Sequence, residues 1–435
     1  MNRSRCLALV LLTAAAIPAQ GSAAGPVMTI TGTGAPKAVP FESDIQLAKI
    51  IDDLCDAGGG AIRFSPGVYT FEHGIHSRRR DGVTGIDFVG SRGTIFRFRK
   101  LVEFGRVRIA ADAVARGGSL PVDHPDLIEP GRRYQVLRPD LRGNRIGEFL
   151  ITGKNGDSLT TAQYENVSVK TFPKGAWLIP HINFFDTLHW ADISFTDILF
   201  DGNFDLTQDK LGGQPFLGHT THGGVLFRNP YTKKDVRRPH TSKVRLERCT
   251  FRSLLGRGAT FYNTGDITLR DCRFEGCRAE AIEIDHLSEN ILIDGCEVKD
   301  ARVAIRLNDC SKAIVRGCRL QATKTGIHVT KVVEHEGVNR RISVTGNVIY
   351  DVDRGLVVDA DSTENVFTGN VFSGCRRMGI VIKGPANVFA GNSVTGHFTT
   401  GILLTAPRNI IENNYVASSN SRFAAIRRID AAKEK

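Results

Sequence analysis

Short segments of alternating apolar and polar residues recur at a regular interval along the C-terminal half of the chain. Eight of them begin at residues 244, 267, 291, 314, 342, 366, 388 and 410, at spacings of 22 to 28 residues. Each unit carries a second short strand, such as GATFYN (258–263), EAIEIDH (280–286) or GIVIKG (379–384). A repeat of about 20–50 residues indicates a solenoid. Three short strands per unit with no helix between them predict an all-β protein, a parallel β-helix.

Two different pieces precede the repeat. Residues 44–57 read as an amphipathic helix, followed by a glycine turn and a strand closed by Pro66-Gly67. A helix at this place suits the cap that a solenoid needs over its first open coil. Residues 106–175 lose the repeat and alternate in strands separated by Gly/Asp turns, which predicts a small inserted β-module. The repeat resumes near ISFTDILFDGN (193–203).

A cysteine or asparagine occupies the same turn of successive units. Cys249, Cys272, Cys296 and Cys318 are followed by asparagines in later coils, and we expect these residues to stack about 4.8 Å apart. No CxxC or Cys/His pair with zinc spacing occurs, so small buried side chains are favoured over disulfides or a metal site. The same register predicts Ile284, Leu307 and Val329 stacked inside another wall.

The first 24 residues have the pattern of a secretory signal peptide, with Arg3 and Arg5 before an apolar run. Its removal lowers the net charge from +11 by two, and the remaining excess favours an acidic polysaccharide as partner over nucleic acid. No later stretch predicts a membrane span. We therefore expect a soluble periplasmic or secreted protein.

The predicted divisions of the chain are 1–24 (signal), 25–105 (cap and first coils), 106–175 (inserted module), 176–420 (β-helix) and 421–435 (tail).

The segment DAGGGAIRFSPGVYTF (56–71) and the coils with their asparagines resemble the pectate-lyase-like β-helix superfamily. The resemblance implies a right-handed parallel β-helix with a substrate groove along the outer face of the second strand of each coil. It also implies an acidic substrate such as a uronate-containing glycan. The fold alone does not select the reaction, because it carries lyases, hydrolases, epimerases and binding proteins.

Two columns of side chains should face outward on that strand. The first is Leu226, Thr260, Glu283, Arg306, His328, Val357, Val381 and Leu403; the second is Arg228, Tyr262, Asp285, Asn308, Thr330, Asp359, Lys383 and Thr405. Polar groups concentrate at Thr260 to His328, and the first column turns aliphatic from Val357. This contrast favours a functional site over ordinary surface polarity.

Long turns after the strands at 223–229 and 326–331 should bracket that site. The first turn is basic and would attract an anionic chain. The residues predicted to bind substrate are Arg228, Lys233, Lys234, Arg237, Arg238, Asn308 and Lys331. His219 and His222 form a rival focus, but the glycines around them indicate a loop, and we predict no metal there.

The outward residues suit chemistry on a uronate. β-Elimination or C5 epimerisation needs a base for the proton α to the carboxylate and a cation to neutralise that carboxylate. Hydrolysis by paired carboxyls is the alternative, although the family's hydrolase signatures NTDG, GDD and GHG are missing. A glycan-binding or assembly β-helix without catalysis also remains open.

A closer resemblance is to the alginate and chondroitin lyases of this fold. "HLSEN" puts His286 where their lysine base stands, and "VAIRL" puts Arg306 near their arginine. Glu280, Glu283 and Asp285 resemble their calcium-binding acids, which makes Ca²⁺ the candidate cofactor. The predicted catalytic residues are His286 as base, Arg306 as neutraliser, Glu283 and Asp285 as orienting groups, and Tyr262 or His328 as alternative proton carriers.

Overall fold

The structure is a computed structural model, and it describes residues 27–31, 39–77, 83–100, 106–141, 145–165, 167–205, 210–211, 214–215, 223–229, 240–331 and 339–429. Parallel strands stack coil upon coil into three walls, and the chain visits the walls in the same order in every coil. Among the described residues, no helix combines the length and the apolar content that crossing a bilayer would require.

The first wall is a 13-stranded sheet. Its strands are Val27–Thr31, Val39–Pro40, Gly60–Phe64, Val83–Val89, Trp190–Thr196, His240–Glu247, Thr264–Arg270, Glu289–Asp294, Ser311–Arg316, Arg340–Thr345, Val366–Thr368, Val388–Ala390 and Ile410–Glu412.

The second and third walls share one sheet, because two long strands, Glu297–Asn308 and Arg319–Thr330, bend from one wall into the other. The other second-wall strands are Gly67–Phe71, Thr94–Phe98, Leu199–Asp201, Thr250–Leu254, Arg273–Cys277, Val348–Tyr350, Val371–Cys375, Ser393–Gly396 and Tyr415–Ser418. The other third-wall strands are Ile75–Ser77, Asn183–Leu188, Gly223–Arg228, Ala259–Tyr262, Glu280–Asp285, Arg354–Val358, Met378–Ile382, Thr400–Leu404 and Ala424–Arg428.

Helix α1 (Asp44–Asp56) lies at the N-terminal end of the solenoid. The side chain of Ser43 caps it by accepting a hydrogen bond from the Gln46 N–H at 3.2 Å. Leu47, Ile51 and Leu54 are buried in the main core with the first coils. The helix therefore covers apolar surface that the first coil would otherwise expose.

The residues between Thr94–Phe98 and Asn183–Leu188 leave the coil and form a module with its own hydrophobic core. Its five-stranded antiparallel sheet consists of Trp177–Pro180, Arg133–Leu137, Gly147–Asn155, Ser158–Glu165 and Ser119–Pro121. Within the module, Ala113–Val114 also pairs with Thr171–Phe172, and Pro125–Leu127 is a 3₁₀ turn. Outside the module, after strand Leu199–Asp201, Lys210–Leu211 pairs with Gln214–Pro215.

Side-chain ladders fill the turns of the β-helix. Asn347 donates to the Asn370 side-chain oxygen at 3.0 Å, and Asn370 donates to Asn392 at 3.0 Å. Cys249, Cys272, Cys296 and Cys318 occupy the same turn of earlier coils, buried as free thiols. Cys272 and Cys296 each donate to a main-chain carbonyl of the preceding coil. The predicted cysteine column is confirmed.

The predicted inner column is also confirmed, because Ile284 pairs with Leu307 and Leu307 with Val329, all fully buried. Consecutive residues of a strand point to opposite faces. This register therefore fixes which side chains of the third wall point away from the core.

Candidate functional site

The outer face of the third wall carries the predicted columns in the predicted register. Leu226 pairs with Thr260, Thr260 with Glu283, Glu283 with Arg306 and Arg306 with His328. Tyr262 and Asp285 are partners in the second column. Side chains separated by many residues in sequence therefore lie one coil apart, about 4.8 Å.

Three side chains at this face meet around one arginine, Arg257. Arg257 Nε donates to Glu280 Oε2 at 3.0 Å, and its terminal nitrogen lies 2.6 Å from Glu283 Oε2. The same terminal nitrogen contacts the Tyr262 hydroxyl, which donates to Glu283 Oε2 at 3.3 Å. Arg257 thus binds two carboxylates and a phenol at once.

A second set of contacts closes the network into a ring. Arg306 donates from its terminal nitrogen to Glu280 Oε1 at 3.1 Å and from Nε to Asn308 Oδ1 at 3.2 Å. Asn308 Nδ2 donates to Asp285 Oδ2 at 3.3 Å, and His286 Nδ1 lies 3.2 Å from the same oxygen. The His286 ring lies 4.5 Å, centroid to centroid, from the Tyr262 ring. We call these eight residues the polar ring: Arg257, Tyr262, Glu280, Glu283, Asp285, His286, Arg306 and Asn308.

Exposure divides the polar ring into two kinds of residue. The acids form its interior, with Glu280 and Glu283 only 1% exposed. The side chains of His286 and Arg306 are each 25% exposed. An open groove lined by Glu283 was expected, but Arg257 and Tyr262 cover that carboxylate. A base and a cation at the surface, each held by a buried carboxylate, can both reach a bound molecule.

His286 owes its position to the end of a strand. Strand Glu280–Asp285 stops one residue before it, and His286 and Leu287 both take left-handed backbone conformations, with φ of 56° and 64°. Ser288 Oγ donates to the Asp285 carbonyl at 2.6 Å and stabilises this turn. The imidazole therefore packs beside Tyr262 instead of following the alternation of the strand.

Crowding of charges controls protonation in the ring. Burial, together with the neighbouring carboxylates of Glu280 and Asp285, raises the pKa of Glu283 to about 7, although Arg257 opposes the shift. The pKa of the Tyr262 hydroxyl is also raised, chiefly by burial. Near neutral pH, Glu283 is therefore a carboxyl that can hold or release a proton.

We expect the stability of the protein to fall as pH rises through about 7 because of Glu283. The folded state keeps a proton that the unfolded chain loses at the ordinary pKa of 4.5, so the stabilisation is fully present below that value and is lost as pH passes through the raised one. Urea unfolding from about pH 5 to pH 8 should show a steeper fall for the unsubstituted protein than for Glu283→Gln. Equal slopes would contradict the prediction.

The other predicted residues make their contacts outside the ring, although His328 is the strand partner of Arg306 and Arg228 that of Tyr262. His328 Nε2 lies 2.9 Å from Asp359 Oδ2, and Lys383 Nζ donates to Oδ1 of the same carboxylate at 3.0 Å. Lys331 Nζ lies 3.9 Å from Asp361. Arg228 contacts Asp186 three coils before Arg306. Other predictions lie outside the described residues: Lys233, Lys234, Arg237, Arg238, His219 and His222.

The residues do not fit a bound calcium ion. Glu280 and Glu283 both face Arg257, and the two guanidinium groups of the ring occupy the space that a cation would need. Within the described ranges, no group of three His, Cys, Asp or Glu side chains could hold a metal ion. We therefore derive no step through a metal.

The fold and the family comparison agree on the class of the protein. Residues 232–339 match the family model of the right-handed β-helix region. The match covers part of the chain, and together with the stacked parallel strands it confirms the right-handed parallel β-helix fold class and agrees with the resemblance stated from the sequence. Residues 334–427 match the model of the periplasmic copper-binding protein NosD. No curated protein sequence matches the chain.

Several solved structures match the chain at low identity and with TM-scores below 0.5. They include a mutant tailspike of E. coli bacteriophage HK620 in complex with a hexasaccharide, at 13% identity over 89% of this chain and 61% of that one, TM-score 0.47. PfbA, a surface adhesin of Streptococcus pneumoniae, is 11% identical over 89% of each chain, TM-score 0.43. A mutant of the periplasmic alginate epimerase AlgG is 11% identical over 90% and 77%, TM-score 0.40. The chain spans 58% and 61% of the two tailspikes it matches.

Proposed function

We propose that the protein is a glycan-processing enzyme that removes the proton α to the carboxylate of a uronate residue, at the polar ring. The observation that carries the proposal is the exposure pattern. His286 and Arg306 reach the surface, whereas their carboxylate partners, Asp285 and Glu280, are buried. A glycan-binding surface needs no such pairing of a titratable base with a fixed cation.

The reaction can be assigned atom by atom. His286 accepts the C5 proton, while Arg306 binds the uronate carboxylate and stabilises the charge that develops on it. In β-elimination the C4–O bond then breaks, its electrons leave with the oxygen, and a C4–C5 double bond forms. The departing oxygen takes a proton from the Tyr262 hydroxyl, which is hydrogen-bonded to Glu283 and can regain the proton from that carboxyl. In epimerisation His286 keeps the proton that it removed, and C5 instead receives a different proton on the opposite face from a second acid, for which Tyr262 is the candidate.

Hydrolysis is the weaker candidate. It requires two carboxyl groups that flank the glycosidic bond, one of them as a nucleophile or base. Glu280 and Glu283 instead bind the same arginine, and both are buried. Their arrangement suits the support of Arg257 and Arg306 better than attack on a sugar.

The reaction class can be tested on a panel of polyuronates. Incubation with alginate, pectate or glycosaminoglycans should produce unsaturated uronate ends that absorb in the ultraviolet, or, for epimerisation in D₂O, deuterium at C5 without chain cleavage. New reducing ends without absorbance would support hydrolysis and contradict the proposal. Tight retention on the polymer with no product would make the protein a binder.

The same proposal places the activity in the periplasm or outside the cell. It rests on the pattern of residues 1–24 and on the periplasmic family that matches residues 334–427. An acidic polysaccharide is a substrate available there, and the excess of basic residues in the chain favours its approach.

A further inference from the structure

A second buried polar cluster lies on the third wall, toward its N-terminal end. Asp186 is 3% exposed, and the Arg228 guanidinium lies 2.8 and 3.0 Å from its two carboxylate oxygens. His76 Nδ1 lies 3.6 Å from Asp186, and the two residues are strand partners. Burial opposes ionisation of Asp186, but Arg228 and His76 hold the pKa of its carboxyl well below the usual range. Arg228 is partly exposed, at 26% of its side chain.

Several polar atoms beside this ion pair have no hydrogen-bond partner within the part of the chain that the structure describes. The Asn183 side-chain oxygen accepts from the Gly223 N–H at 2.9 Å, which fixes the amide and leaves Nδ2 without an acceptor. His181 Nδ1 is held by Glu148 Oε1 at 2.7 Å, and its Nε2 has no partner. Both residues are buried, each with only 3% of its surface exposed. Buried polar groups in native proteins are nearly always paired, so these two atoms are available to hydrogen-bond a ligand or water.

A small pocket of about 10 Å³, room for one water molecule, lies between this cluster and the polar ring. Its lining includes Asn183 and Leu226 at one side and Arg257 and Thr260 at the other. From Asp186 the first column continues through Leu226 and Thr260 to Glu283, three coils or about 14 Å away. The two clusters thus share one face of the solenoid, with the pocket between them.

The third wall ends at this cluster. Its first strand is Ile75–Ser77, and just before it the Asp44 carboxylate of helix α1 accepts hydrogen bonds from the N–H groups of His73 and Gly74. On another side, the inserted module pairs Tyr134 with Pro180 and brings the Arg133 carbonyl to the His181 N–H at 2.8 Å. Helix and module together border the end of the outer face.

We infer that His76, Asn183, Asp186 and Arg228 form a binding site for the end of an acidic glycan whose reacting residue lies at the polar ring. Arg228 would bind a carboxylate, Asn183 Nδ2 would donate to a ring or hydroxyl oxygen, and His76 would meet a hydroxyl. The inference rests on the proposed function for the position of the reaction. One sugar residue of an extended chain is about as long as one coil, so a chain of about four residues would be needed to occupy both sites.

Binding of oligouronates of defined length tests this site. Di-, tetra- and hexamers prepared from alginate and from pectate are titrated calorimetrically into His286→Ala protein, which prevents turnover. Two further substitutions are added singly: Asn183→Asp keeps the oxygen that holds Gly223 and removes the donor, and Arg228→Gln removes the charge. We expect each to weaken hexamer binding at least tenfold and to leave dimer binding unchanged, while Arg228→Lys restores part of the affinity.

Arg245→Gln is the matched control. Arg245 is an exposed arginine on the first wall that contacts Asp192 at 3.4 Å, so its loss should not change the affinity for any oligomer. Unchanged hexamer affinity in Asn183→Asp and Arg228→Gln, equal weakening of dimer and hexamer, or no binding of any oligouronate would overturn the inference. Length-dependent binding without turnover by the unsubstituted protein would instead retain this site and reject the proposed reaction.

Discussion

His286→Ala and Arg306→Ala should each lower kcat on a polyuronate by a factor on the order of 10²–10⁴, the usual effect of removing a positioned acid or base. His286→Ala removes the base itself. Arg306→Ala removes the cation that neutralises the carboxylate in the transition state. The measurement is initial rate against substrate concentration, with the fold checked by circular dichroism. Because Asp285 and Glu280 stay in place, a change in KM alone is not expected.

His397→Ala is the control for the histidine, since His397 lies exposed near the C-terminal end and contacts Ser419 at 3.0 Å. It should retain full activity. The assignment of roles is wrong if His286→Ala and Arg306→Ala turn over normally while His328→Ala or Tyr262→Phe abolishes activity. That result would assign the base to His328 or Tyr262 on the same face, and the proposed reaction class would be unchanged.

Arg257→Met should lower the free energy of unfolding by about 3–5 kcal/mol, the effect of removing one partner from a buried ion pair. Arg257 is 9% exposed and is bound to two acids that are each 1% exposed. Without it, Glu280 and Glu283 would remain as neighbouring buried carboxylates. Urea unfolding near neutral pH gives the value directly.

Arg248→Met provides the comparison for an exposed pair. Arg248 binds Asp197 at 2.8 Å, but their side chains are 53% and 37% exposed, so the loss should not exceed about 1 kcal/mol. Adding Glu283→Gln to Arg257→Met should recover part of the stability, because one buried charge is removed. Equal losses for Arg257→Met and Arg248→Met would show that the interior of the ring is better hydrated than its burial implies.

The fold could be predicted from the sequence because every coil repeats the same pattern of apolar strand residues and the same small residue at one turn. The spacing of apolar residues defined the strands, and the turn occupied by Cys272 and Asn370 set the register between coils. This register placed Glu283, Arg306 and His328 on adjacent coils of one face, as the strand pairings show. A period of two along a strand leaves no other assignment of inward and outward residues.

Arg257 was missed, although a signal for it exists. It lies two residues before Ala259, as Glu280 lies two residues before Ile282, and Ala259 pairs with Ile282. Extending the aligned columns by two residues, to the turn that precedes each third-wall strand, would have placed Arg257 beside Glu280. The exposure of Glu283 could not be read from alternation, because a covering side chain from the corner is not part of the strand pattern.

The cluster at Asp186 was beyond the reach of such reasoning. His76 and Asp186 are 110 positions apart in sequence, and His181 meets Glu148 of the inserted module. No repeat relates these segments, so their proximity depends on how the module docks on the coils. The repetitive part of a solenoid is predictable, whereas an insertion needs the tertiary structure.

The cysteine column has a consequence for the way the polypeptide matures. Neighbouring coils bring backbone positions within the separation that a disulfide tolerates, yet the thiols remain unlinked. Exchange and oxidation proceed through the thiolate, and hydrogen bonds between neighbouring thiols, together with burial, keep the pKa of Cys272, Cys296 and Cys318 high. In an oxidising environment such as the proposed periplasmic location, the thiols would be open to oxidation only until the coils close over these sulfur atoms.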